Sequence, residues 1–146
     1  MALEAHIYDI THVIQLAVAP VFMLTAVGTV ISALSVRLGR AVDRRRVLEA
    51  ALGQLMGESV QSARDELAQI ARRVRTVYFA IVCAVLSALF VCLLIAAAFV
   101  GAFVSVNLSS TIGALFVLAV LALIACLLLF LREIFLAVTA PRHVVP

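Results

Sequence analysis

Three stretches of this chain, about 13–36, 77–104 and 112–131, carry no charged side chain and are long enough to cross a bilayer. A spanning helix needs about 20 consecutive apolar residues, because each residue rises about 1.5 Å and the hydrocarbon core is about 30 Å thick. Backbone N–H and C=O groups find no water at that depth, so each stretch must satisfy its own hydrogen bonds and be helical. Composition agrees: 66% of the residues are hydrophobic and 13% charged, with mean hydropathy +1.24. Soluble domains average about 45–50% apolar and about 25% charged residues. A chain of 146 residues cannot hide so much apolar surface in one core. The expected fold is all-α, an integral membrane protein with three transmembrane helices in one membrane domain over 1–146.

The charges set the topology. All eleven basic residues are arginine, and nine of them lie between Arg37 and Arg75. The connection 105–110 between the second and third stretches has no charge, and Arg132 and Arg142 follow the third. Cationic segments stay in the cytoplasm, which places 37–76 and the C-terminus inside and the N-terminus outside. A cleaved leader is not expected at Ala17-Val18-Ala19. The residues before it carry Glu4 and Asp9 with no cation, and the apolar run continues well past it. Net charge +3 and a pI near 9.1 do not indicate nucleic acid, since no binding motif accompanies the arginines.

Segment 37–76 has its own pattern. Leu38, Val42, Leu48, Leu52 and Leu55 recur at helical spacing, as do Val60, Ala63, Leu67, Ile70 and Val74. Gly53, Gly57, Glu58 and Ser59 form the natural turn between them. The spacing predicts an antiparallel cytoplasmic helical hairpin extending helices one and two by about 25 Å, with roughly seventeen residues in each arm. Its apolar stripe is filled either by the opposite arm or by a neighbouring subunit.

The run Ile14-Gln15-Leu16-Ala17-Val18-Ala19-Pro20-Val21-Phe22-Met23-Leu24 is followed by Gly28 and then Arg37, Arg40, Asp43 and Arg44. It resembles the opening of a bacterial membrane family catalogued as domain of unknown function 2721. Leu129-Phe130-Leu131-Arg132-Glu133-Ile134-Phe135-Leu136-Ala137 resembles its end. The resemblance covers about Ile10 to Ala137 and implies three spans in a bacterial inner membrane. It implies no activity.

Candidate functional residues concentrate on the first helix. His12, Gln15, Ala19, Phe22, Ala26, Thr29, Ala33, Arg37, Arg40 and Arg44 alternate between three- and four-residue spacings and form one face. That face is polar at its outer end, small or apolar in the middle and cationic at its inner end. Copies of it around an axis would line a pore with an apolar constriction, with His12, Gln15, Phe22, Thr29, Arg37, Arg40 and Arg44 as candidate lining. The competing expectation is internal hydrogen bonding by Gln15 and Thr29, with the arginines at lipid headgroups. Gly28 and Ser32, like Ala97 and Gly101, are small pairs four apart that permit close helix packing. Pro20 removes a hydrogen bond to Leu16 and is expected to kink the helix rather than hinge it.

Other patterns lead to no chemistry. His6, Asp9 and His12 are three apart but drift around a helix, so they read as polar residues at a helix start rather than as a metal or proton site. Asp9 or Thr11 is a candidate cap. Cys83, Cys92 and Cys126 lie in apolar runs with no CxxC pair. Arg132 and Glu133 are the candidate clasp between the third helix and the hairpin, with Arg37 or Arg75 as the expected cation for Glu133. No nucleotide, zinc or nucleophile motif occurs, and no catalytic residue, cofactor or metal is expected. The expected partners are the lipid bilayer, further copies of the chain and a cytoplasmic protein at the hairpin. Two function classes remain: a homo-oligomeric channel lined by the first helix, and a non-conducting scaffold or regulator.

Overall fold

The computed structural model describes the backbone of residues 2–53, 56–104 and 107–139, and side chains over 18–53, 56–57, 59–104 and 107–136. It contains three helices: α1 (Ala2–Leu52), α2 (Glu58–Val104) and α3 (Ser109–Thr139). Each includes a segment long and apolar enough to cross a membrane. Only 17%, 28% and 11% of the most apolar stretch of α1, α2 and α3 is buried, so most of that apolar surface faces outward. A lipid solvent stabilises such a surface and water does not.

α1 runs through Pro20 without ending, and Pro20 is buried. α1 and α2 are joined by a turn tighter than the sequence suggested, because Glu58 and Ser59, expected in the turn, already belong to α2. Gly57 supplies the reversal with φ at 68°, and its carbonyl accepts from the Val60 N–H at 3.2 Å. Ahead of α3 the Asn107 Oδ1 accepts from the Ser109 N–H at 3.2 Å and from its hydroxyl at 2.6 Å. That bond meets one of the N–H groups a helix start leaves over.

Burial follows one rule on all three helices. On α1 the buried residues are Pro20, Val27, Leu34 and Leu48, all on one seven-residue register. On α2 they are Ala63, Ile70, Val77, Ala84 and Val91, together with Ala80, Ser87 and Leu94 three residues after a register position. On α3 they are Ala119, Cys126 and Glu133. A seven-residue repeat keeps one narrow line of side chains facing neighbouring helices, as in a left-handed coiled coil. Alanine, serine and cysteine dominate this line in the apolar stretches of α2 and α3, where small residues let backbones approach.

The chain divides into two compact units. The first comprises residues 1–31 and 83–124. Within it Val27, Ala84, Val91, Leu94 and Ala119 are buried, and the Ser87 hydroxyl donates to the Ala119 carbonyl at 2.8 Å. Among the described side chains here, Thr25 and Thr29 return their hydroxyls to carbonyls four residues earlier on α1, Val21 and Thr25. A hydroxyl bonded in this way can sit in an apolar medium without an orphaned donor.

The second unit comprises residues 32–82 and 125–146. Its core includes Leu48, Ala63 and Ile70, packed with Leu52, Leu67 and Val74. Within the single chain, the two arms therefore turn their apolar stripes on each other. Leu55, expected in the same stripe, lies outside the described residues. Charged pairs flank this core: Arg44 to Glu66 at 2.8 Å across the arms, and Arg45 to Glu49 at 2.7 Å along α1. Both are exposed, and such pairs contribute about 0–1 kcal/mol each. The apolar contacts hold the arms.

Gly57 and Gly53 separate two effects in the turn. Neither position has an atom within 4 Å of a built Cβ, but only Gly57 adopts a positive φ. Gly57→Ala is expected to lower stability by about 1–2 kcal/mol through left-handed strain, while Gly53→Ala is neutral or stabilising. Thermal unfolding of both variants in detergent, followed by circular dichroism, checks this. Equal losses would contradict it.

Candidate functional site

The richest cluster of polar side chains lies in the second unit, where α1, α2 and α3 meet. Arg37, Arg40 and Arg44 follow one face of α1 at spacings of three and four, as the sequence pattern requires. On α2, Ile70, Arg73 and Val77 have the same spacing, so Arg73 shares the inward side with two buried residues. On α3 the seven-residue line through Ala119 and Cys126 ends on Glu133. These residues and Ala41 line a cleft of about 420 Å³, with apolar walls, four guanidinium groups and one carboxylate.

Glu133 is the most confined charge in this group. Its side chain is 6% exposed, and its Oε1 accepts from the Arg73 Nε at 3.0 Å and lies 3.0 Å from Nη2. Both contacts go to one oxygen, and the buried Oε2 has no hydrogen-bond partner. The expected cations were Arg37 or Arg75; the carboxylate takes Arg73 instead. Helical phase is the reason: Arg73 lies between Ile70 and Val77 on the packed side of α2, while Arg75 is turned outward. Arg75 rests over the Phe79 ring at 5.8 Å, and Arg37 rests over Phe130 at 5.1 Å. A cation over a ring keeps its charge, so Arg37 stays available to an anion. Arg44 is engaged by Glu66. Among the described residues Arg40 has no ion pair.

The remaining candidates fall as follows. Phe22 is 72% exposed, and Ala19, Ala26, Thr29, Ala33, Arg37, Arg40 and Arg44 are exposed too. The apolar part of the α1 stripe is thus exposed, whereas its arginines border the cleft with α2 and α3. Gly28 and Ser32 are exposed, and nothing lies within 4 Å of a built Gly28 Cβ. Ala97 and Gly101 are half-buried. Arg132 is exposed and forms no ion pair among the described residues. His12 and Gln15, with His6, Asp9 and Thr11, lie outside the described side chains, as does Arg142. Arg73 was not singled out from the sequence. Its three-and-four spacing between Ile70 and Val77 was the signal that would have found it.

The pair has an asymmetry that a melt can read. Arg73 is 37% exposed and can turn to water when its partner is lost, whereas Glu133 cannot. Removing one partner of a buried pair costs about 3–5 kcal/mol when the other charge is stranded. Arg73→Ala is expected to lower stability more than Glu133→Ala, with the double variant less damaged than Arg73→Ala. Denaturation in detergent, followed by helix content, measures all three; equal single losses would contradict the asymmetry.

Among curated proteins and among solved structures nothing matches this chain. A family model, "Protein of unknown function (DUF2721)", matches residues 17–143. That range includes every residue of the cleft, all of α2 and α3, and α1 from Ala17 onward. The chain is a member of this family, DUF2721.

Proposed function

We propose that this chain is a three-span protein of a bacterial inner membrane that works as a homo-oligomer, its subunits meeting through α1. The N-terminus lies outside, and the arginine-rich hairpin and C-terminus lie in the cytoplasm, following the arginine asymmetry. The observation that carries the reading is the character of the uncovered α1 surface. α2 and α3 turn large apolar side chains outward, among them Phe79, Leu89, Leu93, Phe116, Leu121 and Leu128, which lipid tails accommodate. α1 also exposes large apolar side chains, Val21, Phe22 and Val36 among them, but between these its exposed surface includes Thr25, Gly28, Thr29, Ser32 and Ala33. Small and hydroxyl-bearing surfaces of this kind favour contact with another helix over contact with lipid.

In a ring, the face from Ala19 to Arg44 would line a narrow path with Phe22 as its apolar constriction and arginines at its cytoplasmic end. Such a path selects by its charged ring and gates at its dewetted ring. A second reading is favoured by the hairpin. Because its arms close on each other within one chain, its charged outer surface is free to dock a cytoplasmic protein, and the oligomer would then be a scaffold. The absence of catalytic motifs argues for either of these over an enzyme.

Native mass in lipid nanodiscs tests the proposal. A discrete assembly of four or more copies is the expected result, together with ion flux in liposomes that increases on Phe22→Ala. A monomer would overturn self-association. A dimer, or a larger assembly without flux, would remove the pore and leave the scaffold.

A further inference from the structure

The cleft of the second unit combines two unmet demands of opposite kind. On one side stand the guanidinium of Arg40 and that of Arg37, which rests on the Phe130 ring; neither has an ion pair among the described residues. On the other is the Glu133 carboxylate, which also lines the cleft; its Oε1 is held by Arg73, and its Oε2, enclosed by the protein and without a donor among the described residues, meets a ligand donor by a turn of the carboxylate. An inorganic anion would answer the arginines and repel the carboxylate. A metal cation would do the reverse. A molecule that presents a phosphate to α1 and a hydrogen-bond donor to Glu133 answers both.

We infer that the cleft lined by Arg37, Arg40, Arg73 and Glu133 binds a phosphodiester headgroup carrying a hydroxyl or primary ammonium donor. Arginine suits the phosphate because its planar fork gives charge-assisted bonds to two oxygens. The donor group is needed for selectivity, because an acceptor left unmet in a buried place costs about 1–3 kcal/mol. Ala41, Ile70 and Val77 give the cleft apolar walls, so the glycerol part of such a molecule also finds contact there. The source is either a membrane phospholipid such as phosphatidylglycerol or a soluble glycerophosphodiester of the same headgroup. The lipid source rests on the membrane reading above; the site itself lies within one chain and does not depend on the oligomer.

The test uses the full chain in phosphatidylcholine nanodiscs doped with equal minor amounts of phosphatidylglycerol and phosphatidylmethanol, with retained lipid read by native mass spectrometry. Phosphatidylcholine offers a phosphate without a donor, and phosphatidylmethanol an anionic phosphate without a hydroxyl. Preferential retention of phosphatidylglycerol over both is expected, falling roughly ten-fold or more in Arg40→Ala and in Arg37→Ala. Helix content by circular dichroism confirms that these variants, both at exposed positions, remain folded. A parallel arm adds soluble glycerophosphoglycerol to phosphatidylcholine discs; arginine-dependent binding there supports the same chemistry and assigns the soluble source. Equal retention of phosphatidylglycerol and phosphatidylmethanol, with no soluble binding, overturns the inference, as does unchanged retention in both arginine variants. Failure of the chain to enter nanodiscs at all would instead count against the membrane reading and remove the lipid source, leaving the soluble arm, repeated in detergent, to decide the site.

Discussion

Each helix is packed along a line repeating every seven residues, and the rest of the structure depends on how narrow that line is. Two apolar helices in lipid gain nothing by hiding apolar surface from water, so they hold together by close packing and the few polar bonds across the contact. The buried alanines of α2 and α3 serve the first need, since small side chains let backbones approach. The Ser87 hydroxyl on the Ala119 carbonyl serves the second. Everything off the line is free to be large and apolar, and Phe103, Phe116 and Leu128 are exposed for that reason.

The same register ends on α3 at a carboxylate. Glu133 occupies the position that Cys126 and Ala119 occupy one and two repeats earlier, so the helix places its acid on the packed side. An isolated carboxylate there would be costly, and Arg73 compensates it because α2 brings a guanidinium to the same side between two apolar residues. The exposed arginines of α1 then border a confined negative charge on one side. The hairpin core of Leu48, Ala63 and Ile70 fixes the two arms against each other and so sets where those arginines stand.

Much of this was legible in residue order. Leu48, Leu52, Ala63, Leu67, Ile70 and Val74 were recognised as inward-facing from their spacing alone, and they are the residues that pack together. The turn was placed at Gly53–Gly57, although Glu58 and Ser59 proved helical, a difference no larger than the usual uncertainty of a helix end. Glu133 was singled out because an acid beside an apolar run needs a cation. Charge and depth alone point to Arg37 or Arg75 as its partner; helical phase, which separates Arg73 from Arg75, selects Arg73.

Residue order alone dictates that the chain forms three long apolar helices and that two of them continue into a hairpin. Uncharged length and hydrophobic period are local properties, and the backbone must answer them before any packing occurs. Which face of each apolar helix is covered follows from packing between helices. Inside the apolar runs nearly every residue is hydrophobic or small, so composition leaves the packed line unmarked. It emerges when each helix packs against its neighbours within a unit, and in the second unit that packing brings Arg73 to Glu133.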